Sequence, residues 1–103
     1  MTAYTLKLHK QVKKLLQSLN SEWRVRFQEK LEILRQNPHG HPQLDIKPMQ
    51  GAGEAVYRLR VGQYRLIYQI YEGKMIIFLM TAGSRGGVYG YQLKTGHPVT
   101  SMS

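Results

Sequence analysis

The sequence predicts an α+β fold in which an N-terminal α-helical hairpin packs on one face of a three- to four-stranded antiparallel β-meander. Apolar residues in the N-terminal half recur with the 3.6-residue period of amphipathic helices. After residue 55 the period changes to two, which is typical of strands. Between these halves, residues 38–54 contain three prolines and three glycines, and this composition predicts a loop.

The N-terminal half is predicted to form two helices after a short extended segment at residues 4–8. Apolar residues at i, i+3, i+4 and i+7 between Val12 and Leu19 predict the first helix. Ser21 is predicted to cap the second helix, and Pro38 is predicted to end it. The apolar stripe of this second helix consists of Trp23, Phe27, Leu31 and Leu34.

Three β-rich runs follow, AVYRLRV, YRLIYQIY and KMIIFLMTA. Two short glycine-containing connections separate them and are predicted to be two-residue hairpin turns, Gly62-Gln63 and Glu72-Gly73. The first turn fixes a register in which Val61 pairs with Tyr64 and Arg60 lies opposite Arg65. Arg58 then lies on the same face of the sheet as the other two arginines, and the apolar residues lie on the face that the helices cover.

The 103 residues are predicted to form a single domain over residues 1–103, because compact domains commonly hold about 100–150 residues. Residues 90–103 carry little pattern and are expected to be a loose tail. The absence of cysteine excludes disulfides, thiolate metal sites and thiol catalysis, and it fits a reducing cytosol. No secretory signal or membrane-spanning run is recognisable, so a cytoplasmic protein without a membrane partner is expected.

The charge of the chain indicates a polyanionic partner. Fifteen Lys and Arg residues against six Asp and Glu residues give a formal net charge of +9. Nucleic acid, an acidic protein segment or an anionic membrane would each complement such a charge.

The three arginines of the hairpin sharpen this indication. Like charges directly opposite each other in a strand pair cost a few tenths to about 1 kcal/mol. One or two arginines on this face would merely solvate it, but three converge, and no acidic residue lies between positions 55 and 71 to pair with them. Because arginine binds phosphate through two N–H groups at once, the sequence predicts an anion-binding face. The glycine-rich loop TAGSRGGVYGY adds Arg85 and Tyr89 at the end of the third strand.

The run AVYRLRVGQYRLIYQIYEGKMIIFLMTAGSRGGVY, residues 55–89, resembles the RelE/ParE superfamily of bacterial and archaeal toxins from type II toxin–antitoxin pairs. The hairpin YRLRVGQYRLIY is its most specific part, and the two-helix half and the KPMQG stretch match in pattern. The resemblance implies the fold predicted above. It also implies an enzyme, a RelE-type mRNA interferase, that enters the A site of the 70S ribosome and cuts mRNA there through attack by a 2′-hydroxyl.

The resemblance to RelE implies catalytic roles for five residues of this sequence. Arg65 and Arg85 would bind the scissile phosphate and stabilise its developing charge, while Tyr89 would stack on a base or help to move a proton. Arg58 and Arg60 stand where RelE carries lysines, and they are poor bases because arginine effectively cannot lose its proton.

Two further positions depart from the family pattern. Ser84 replaces a His or Lys that many relatives carry before the arginine, and Gly86 replaces a second arginine. The resemblance therefore supports binding more strongly than efficient cleavage.

The predicted RNA-binding residues combine the hairpin with the first helix: Arg58, Arg60, Arg65, Lys10, Lys13 and Lys14. The three lysines are most simply a solvated helix face, although they could also contact rRNA phosphates. His39 and His41 have a spacing seen in metal sites, but without nearby Cys or paired carboxylates they predict a solvated loop, and neither a metal nor a cofactor is expected. His97 could fold back as a missing base.

Three functions stay open at this point. The first is a ribosome-dependent mRNA endonuclease that inhibits translation, and the second is a ParE-like toxin that acts on DNA gyrase by binding. The third is a catalytically weakened RNA-binding relative. For the toxins, we expect an acidic, RelB-like antitoxin encoded beside the chain, which would set carboxylates against the arginine face.

Overall fold

The fold is given by a computed structural model that describes residues 3–49 and 55–84. Over these residues the chain forms five strands, two α-helices and one 3₁₀ turn. In chain order they are β1 (Thr5–Leu8), α1 (Lys10–Ser18), α2 (Ser21–Gln36), β2 (Asp45–Pro48), β3 (Val56–Val61), β4 (Tyr64–Tyr71), the 3₁₀ turn (Glu72–Lys74) and β5 (Ile76–Ser84).

The five strands form one sheet in the order β1-β5-β4-β3-β2. The pairs β2–β3, β3–β4 and β4–β5 are antiparallel, whereas β1 pairs with β5 in parallel. The predicted α+β class and helical hairpin are confirmed, and the number of strands is corrected from three or four to five. Besides the three strands of the meander, the sheet contains the extended segment predicted at residues 4–8, which forms β1, and part of the predicted loop at residues 38–54, which forms β2. The sheet is mixed because β1 joins it beside a strand that is distant in sequence.

The helices begin at side-chain caps. The His9 side chain accepts a hydrogen bond from the backbone N–H of Gln11 at the start of α1. At the start of α2, the Asn20 side chain accepts from the backbone N–H of Trp23 at 3.0 Å. The prediction that Ser21 is this cap was wrong by one residue, because Asn20 has the extended backbone of a cap and Ser21 is already helical.

The β3–β4 hairpin has the predicted register. Val61 pairs with Tyr64, and Arg60 pairs with Arg65. Gly62 in the turn has a φ of +61° and lies directly beneath the Trp23 ring, where a Cβ atom would collide with it. The connection from β4 to β5 differs from its prediction, since Glu72–Lys74 forms a 3₁₀ turn that ends at Met75 in the left-handed conformation.

The main core lies between the helices and one face of the sheet. The helices and the residue that caps the end of α1 contribute five buried residues to it, Val12, Leu19, Phe27, Leu31 and Leu34. The central strands contribute Leu59, Val61, Leu66, Tyr68, Ile70, Ile77 and Leu79. At one end of this core, the rings of Trp23, Phe27 and Tyr64 pack edge to face. The helical layer therefore closes this face, and the hairpin arginines project from the opposite one.

The face opposite the helices is not uniformly polar. Val56, Ile67 and Met80 form a second buried cluster there, with Met49 and Phe78 packed against it. A β-bulge between Ile67 and Tyr68 shifts the β4–β5 register beside this cluster. None of the helices in the described residues is long and apolar enough to span a bilayer.

Candidate anion-binding site

Adjacent strands bring the three hairpin arginines to the sheet face opposite the helices. The two-residue turn sets Arg60 directly across from Arg65, and Arg58 lies two positions before Arg60 on the same strand. Because side chains alternate between the two faces of a strand, all three share the face that the helices leave open. The predicted convergence of Arg58, Arg60 and Arg65 is confirmed.

The prediction that these arginines lack an acidic partner was wrong for Arg58 and Arg60. Asp45 on β2 lies directly opposite Arg60, and its two carboxylate oxygens accept from different arginines. Its Oδ1 atom is 2.6 Å from the Nη2 atom of Arg58, and its Oδ2 atom is 3.0 Å from the Nε atom of Arg60. Asp45 was not predicted as a partner because it lies outside residues 55–71 and within residues 38–54, whose composition predicts a loop.

The two arginines bound by Asp45 differ in their exposure. The Arg58 side chain is only 11% exposed, and it lies across from the buried Ile67. The Arg60 side chain is 46% exposed, as is 44% of the Asp45 side chain. Arg60 therefore meets solvent, while Arg58 is an internal member of the ion pair.

Lys47 is a second basic neighbour that the sequence argument did not find. It lies on β2 directly opposite Arg58 and is exposed. A four-residue strand that ends in Pro48 gives little strand signal, although the alternation of Leu44 and Ile46 with charged residues indicates it in retrospect. Among the described residues around Asp45, three arginines and Lys47 surround this one carboxylate, so this part of the face has an excess of positive charge, which suits phosphate oxygens.

The remaining predicted site residues lie elsewhere. Lys10, Lys13 and Lys14 are exposed on α1, so they belong to the helical layer on the other side of the sheet from the arginines. Ser84 is exposed at the end of β5, opposite Tyr64. The predictions for Arg85, Gly86, Tyr89 and His97 lie outside the described residues.

The histidine loop contributes to structure at the opposite end of β4 from Arg65. The Glu72 carboxylate accepts from the Tyr4 hydroxyl at 2.8 Å and is hydrogen-bonded to His39. Both hydrogen bonds lower the pKa of Glu72, and the bond from Tyr4 has the larger effect. His39 and His41 belong to no group of three metal-binding side chains within residues 3–49 and 55–84.

A separate groove of about 180 Å³ lies between the two helices and β1. Its apolar lining includes Leu16, Phe27 and Leu31, and it also contains the cationic side chains of Lys13 and Arg24. An apolar surface beside cations on two different helices suits an acidic amphipathic segment better than a bare phosphate chain.

Comparison with known proteins places the chain in a family. Residues 6–89 match the family of the ParE toxin of the type II toxin–antitoxin system parDE. A Methanocaldococcus jannaschii protein named as toxin RelE1 is 34% identical over 86 residues, which are 84% of this chain and 94% of that protein. The chain belongs to the RelE/ParE superfamily of toxins. The resemblance of residues 55–89 to this superfamily is thereby confirmed.

Solved structures of superfamily members share the fold. The crystal structure of the archaeal RelE–RelB complex from Pyrococcus horikoshii matches at 36% identity with a TM-score of 0.72, covering 82% of this chain and 98% of that chain. A structure of a mutant Escherichia coli toxin RelE in the free state matches at 20% identity with a TM-score of 0.71 over 98% of both chains. At that lower identity the likeness concerns the fold alone.

Proposed function

We propose that this chain is the toxin of a RelBE-type toxin–antitoxin pair and that it inhibits translation as a ribosome-dependent mRNA endonuclease. The observation that carries the proposal is the row in which Arg60 and Arg65 face each other across the hairpin, on the open face of the sheet. The sequence identities of 34% and 36% to a RelE1 protein and to a RelE–RelB structure support the RelE branch.

In the proposed reaction, a 2′-hydroxyl of the mRNA attacks the adjacent phosphodiester and displaces the 5′-oxygen of the next nucleotide. Arg65 and Arg85 bind the scissile phosphate and stabilise the negative charge that develops on its oxygens. Arg60 binds the same backbone from the opposite strand. Tyr89 stacks on a base or moves a proton. The reaction requires no metal or cofactor in this proposal.

The proposed protein partner is an acidic, RelB-like antitoxin. The Pyrococcus horikoshii relative was crystallised as a RelE–RelB complex, and the net charge of +9 on this chain favours an acidic partner. The groove between the helices, with Lys13 and Arg24 beside an apolar lining, fits an acidic amphipathic helix. Further carboxylates of the antitoxin would then meet the arginine face, so that binding neutralises the toxin by occlusion.

The direct test is primer extension on mRNA from programmed 70S ribosomes incubated with the purified chain. We expect new 5′ ends within the A-site codon and no cleavage of the same mRNA without ribosomes. Intact mRNA on the ribosome, under conditions where the folded chain binds it, would refute the endonuclease proposal.

A ParE-like activity on DNA gyrase is the second candidate, because the family model that matches residues 6–89 is that of ParE. A supercoiling assay with purified gyrase separates the two candidates, since inhibition of gyrase together with intact mRNA would favour the ParE-like function.

A further inference from the structure

We propose that Asp45 is a positioning residue, which neutralises the buried Arg58 and orients Arg60, so that Arg60 and Arg65 form the phosphate-binding pair of the site. The inference rests on the proposed function for the identity of the phosphate as that of RNA. It departs from the equal roles that the family resemblance implies for Arg58 and Arg60.

The burial of Arg58 supports the first half of this proposal. An isolated charge in apolar surroundings is unfavourable unless a counter-charge and hydrogen bonds compensate it. With its side chain 11% exposed and its neighbour Ile67 fully buried, Arg58 obtains that compensation from the Oδ1 atom of Asp45 at 2.6 Å. Its Nη2 atom is engaged by Asp45 and its side chain is largely buried, so a ligand gains little contact with it.

The contact between Asp45 and Arg60 supports the second half. Asp45 accepts from the Nε atom of Arg60, which fixes the guanidinium plane near its stem. A guanidinium has five N–H donors, and a bond through Nε leaves the four on its two Nη atoms for another acceptor. Because the Arg60 side chain is 46% exposed, those donors can serve a ligand from solvent.

Asp45, Arg60 and Arg65 lie on three neighbouring strands. Asp45 on β2, Arg60 on β3 and Arg65 on β4 are direct cross-strand neighbours in one row. Neighbouring strands lie about 4.8 Å apart, so Arg60 separates the Asp45 carboxylate from Arg65 by an additional strand. Like charges directly opposite each other in a strand pair repel, so a phosphate bound by Arg60 and Arg65 together would lower that repulsion.

Two possible roles of Asp45, lowering the charge of the face and positioning Arg60, predict opposite effects of Asp45→Asn. The variant raises the net charge from +9 to +10. If Asp45 only subtracts charge from the face, its removal strengthens RNA binding and leaves cleavage unchanged or faster. If Asp45 positions Arg60, its removal lowers the rate even though the protein is more basic. The matched control is Glu29→Gln, which makes the same change of charge at an exposed position on α2.

The first experiment follows the Nε–H proton of Arg60 by NMR hydrogen exchange, with a short single-stranded RNA oligonucleotide as the probe. We expect slow exchange in the wild-type chain, with and without saturating RNA, because Asp45 holds this donor. Asp45→Asn should accelerate the exchange and Glu29→Gln should not. Rapid exchange in wild-type protein saturated with RNA would overturn the proposal, because it would show that RNA replaces Asp45.

The second experiment measures single-turnover cleavage on programmed ribosomes, which separates the maximal rate from the half-saturating concentration. Asp45→Asn should lower the maximal rate by about 10- to 100-fold, the range expected when a catalytic group is misplaced. An undiminished maximal rate in a folded Asp45→Asn protein would overturn the positioning role. If the wild-type chain leaves the mRNA intact, the proposed function fails alone, and the exchange experiment decides on Asp45.

A double variant addresses the chance that Asp45→Asn unfolds the protein by leaving Arg58 buried and uncompensated. Asp45→Asn with Arg58→Met removes both members of the buried pair and keeps the net charge at +9. We expect it to fold and to lose as much of the maximal rate as the single variant, because Arg60 still lacks its anchor. A wild-type rate in the double variant would overturn the proposal.

Discussion

The two faces of the β3–β4 hairpin are built from alternating residues of the same strands, yet they serve different purposes. On the helix-facing side, Leu59, Leu66 and Tyr68 are fully buried in the main core. On the other side, Arg60 and Arg65 are directly opposite each other, and Arg60 is exposed while Arg65 is half-buried. Each strand therefore stabilises the fold with one set of residues and presents charge with the next. A site on such strands is held rigidly because the core behind it is rigid.

This difference predicts that substitutions of Arg60 and Arg65 change activity, whereas those on the helix-facing side change stability. The largest effect is expected for Arg65→Ala. Loss of one preorganised donor to the developing charge costs about 2.7–4 kcal/mol, or roughly 10²–10³ in rate. Cleavage of A-site mRNA on programmed ribosomes measures this loss.

The control for Arg65→Ala is Lys13→Ala on α1, which removes the same charge from the helical layer and should have a small, salt-dependent effect. Thermal unfolding of both variants should resemble that of the wild type. Equal losses of cleavage for Arg65→Ala and Lys13→Ala would contradict the division between the two sides.

On the helix-facing side, Gly62→Ala should destabilise the fold by about 2–4 kcal/mol. Gly62 has a φ of +61°, and an added Cβ would collide with the Trp23 ring, so backbone strain and overpacking act together. Urea unfolding measures the change. Gly73→Ala is the control because a Cβ atom there meets nothing within 4 Å.

Adding Trp23→Leu to the Gly62→Ala variant tests the cause of its instability. The smaller side chain should relieve the collision, so the double variant should lose less than the sum of the two single losses. Strict additivity would show that the ring is not the obstacle.

A smaller effect is expected for Tyr68→Phe, at about 1–2 kcal/mol. The buried Tyr68 hydroxyl donates to the backbone carbonyl of Pro38 at 2.7 Å, and its removal leaves that buried acceptor unsatisfied. The measurement is the free energy of unfolding at pH 7. Tyr71→Phe is the matched control, since the exposed Tyr71 hydroxyl makes only a longer contact of 3.3 Å with Gln69.

The same hydroxyl should make stability depend on alkaline pH. Burial raises the pKa of Tyr68 above its ordinary value of 10.0, and the neighbouring Tyr57 raises it by a smaller amount. A raised folded-state pKa contributes stability that is complete below about pH 10 and is lost as the pH rises further. Tyr68→Phe should therefore flatten the fall in stability above pH 10, and an unchanged alkaline profile would contradict the assignment.

The smallest effect is expected for Glu72→Gln, at the end of the sheet and away from both the arginines and the core. The hydrogen bond from the Tyr4 hydroxyl lowers the pKa of Glu72 below its ordinary value of 4.5, and the hydrogen bond with His39 lowers it by a smaller amount. A lowered folded-state pKa contributes stability above about pH 4.5 that is lost as the pH falls through the folded-state value. The difference in urea midpoint between wild type and variant should be present at pH 7 and should shrink as the pH falls below 4.5, with Glu29→Gln as the exposed control.

The hairpin was the part of the fold that the sequence predicted best. A two-residue turn allows one register, and alternation then assigns each side chain to a face, so the positions of Arg58, Arg60 and Arg65 follow from local rules. Strand β2 was missed because four residues ending in Pro48 give a weak local signal. Its place at the sheet edge comes from pairing with β3 rather than from its own propensity.

The arginines of the candidate site could be predicted from the sequence, but the carboxylate that pairs with two of them could not. Asp45 is 13 residues before Arg58 and 15 before Arg60, so their pairing exists only after β2 docks on β3. The burial that distinguishes Arg58 from Arg60 is likewise a property of the assembled sheet. Sequence therefore identified the charges, while the tertiary structure determined which of them is compensated.

The parallel pairing of β1 with β5 has a consequence for how the protein is made. Thr5 pairs with Ile76, 71 positions later, so this ladder can form only after most of the described residues have left the ribosome. Until β5 docks, the backbone N–H and C=O groups along one edge of β4 are unpaired, and the sheet that carries Arg65 lacks its support on that side. The nascent chain therefore spends most of its synthesis without a completed sheet, and the arginine row acquires its rigid backing only when the last described strand docks.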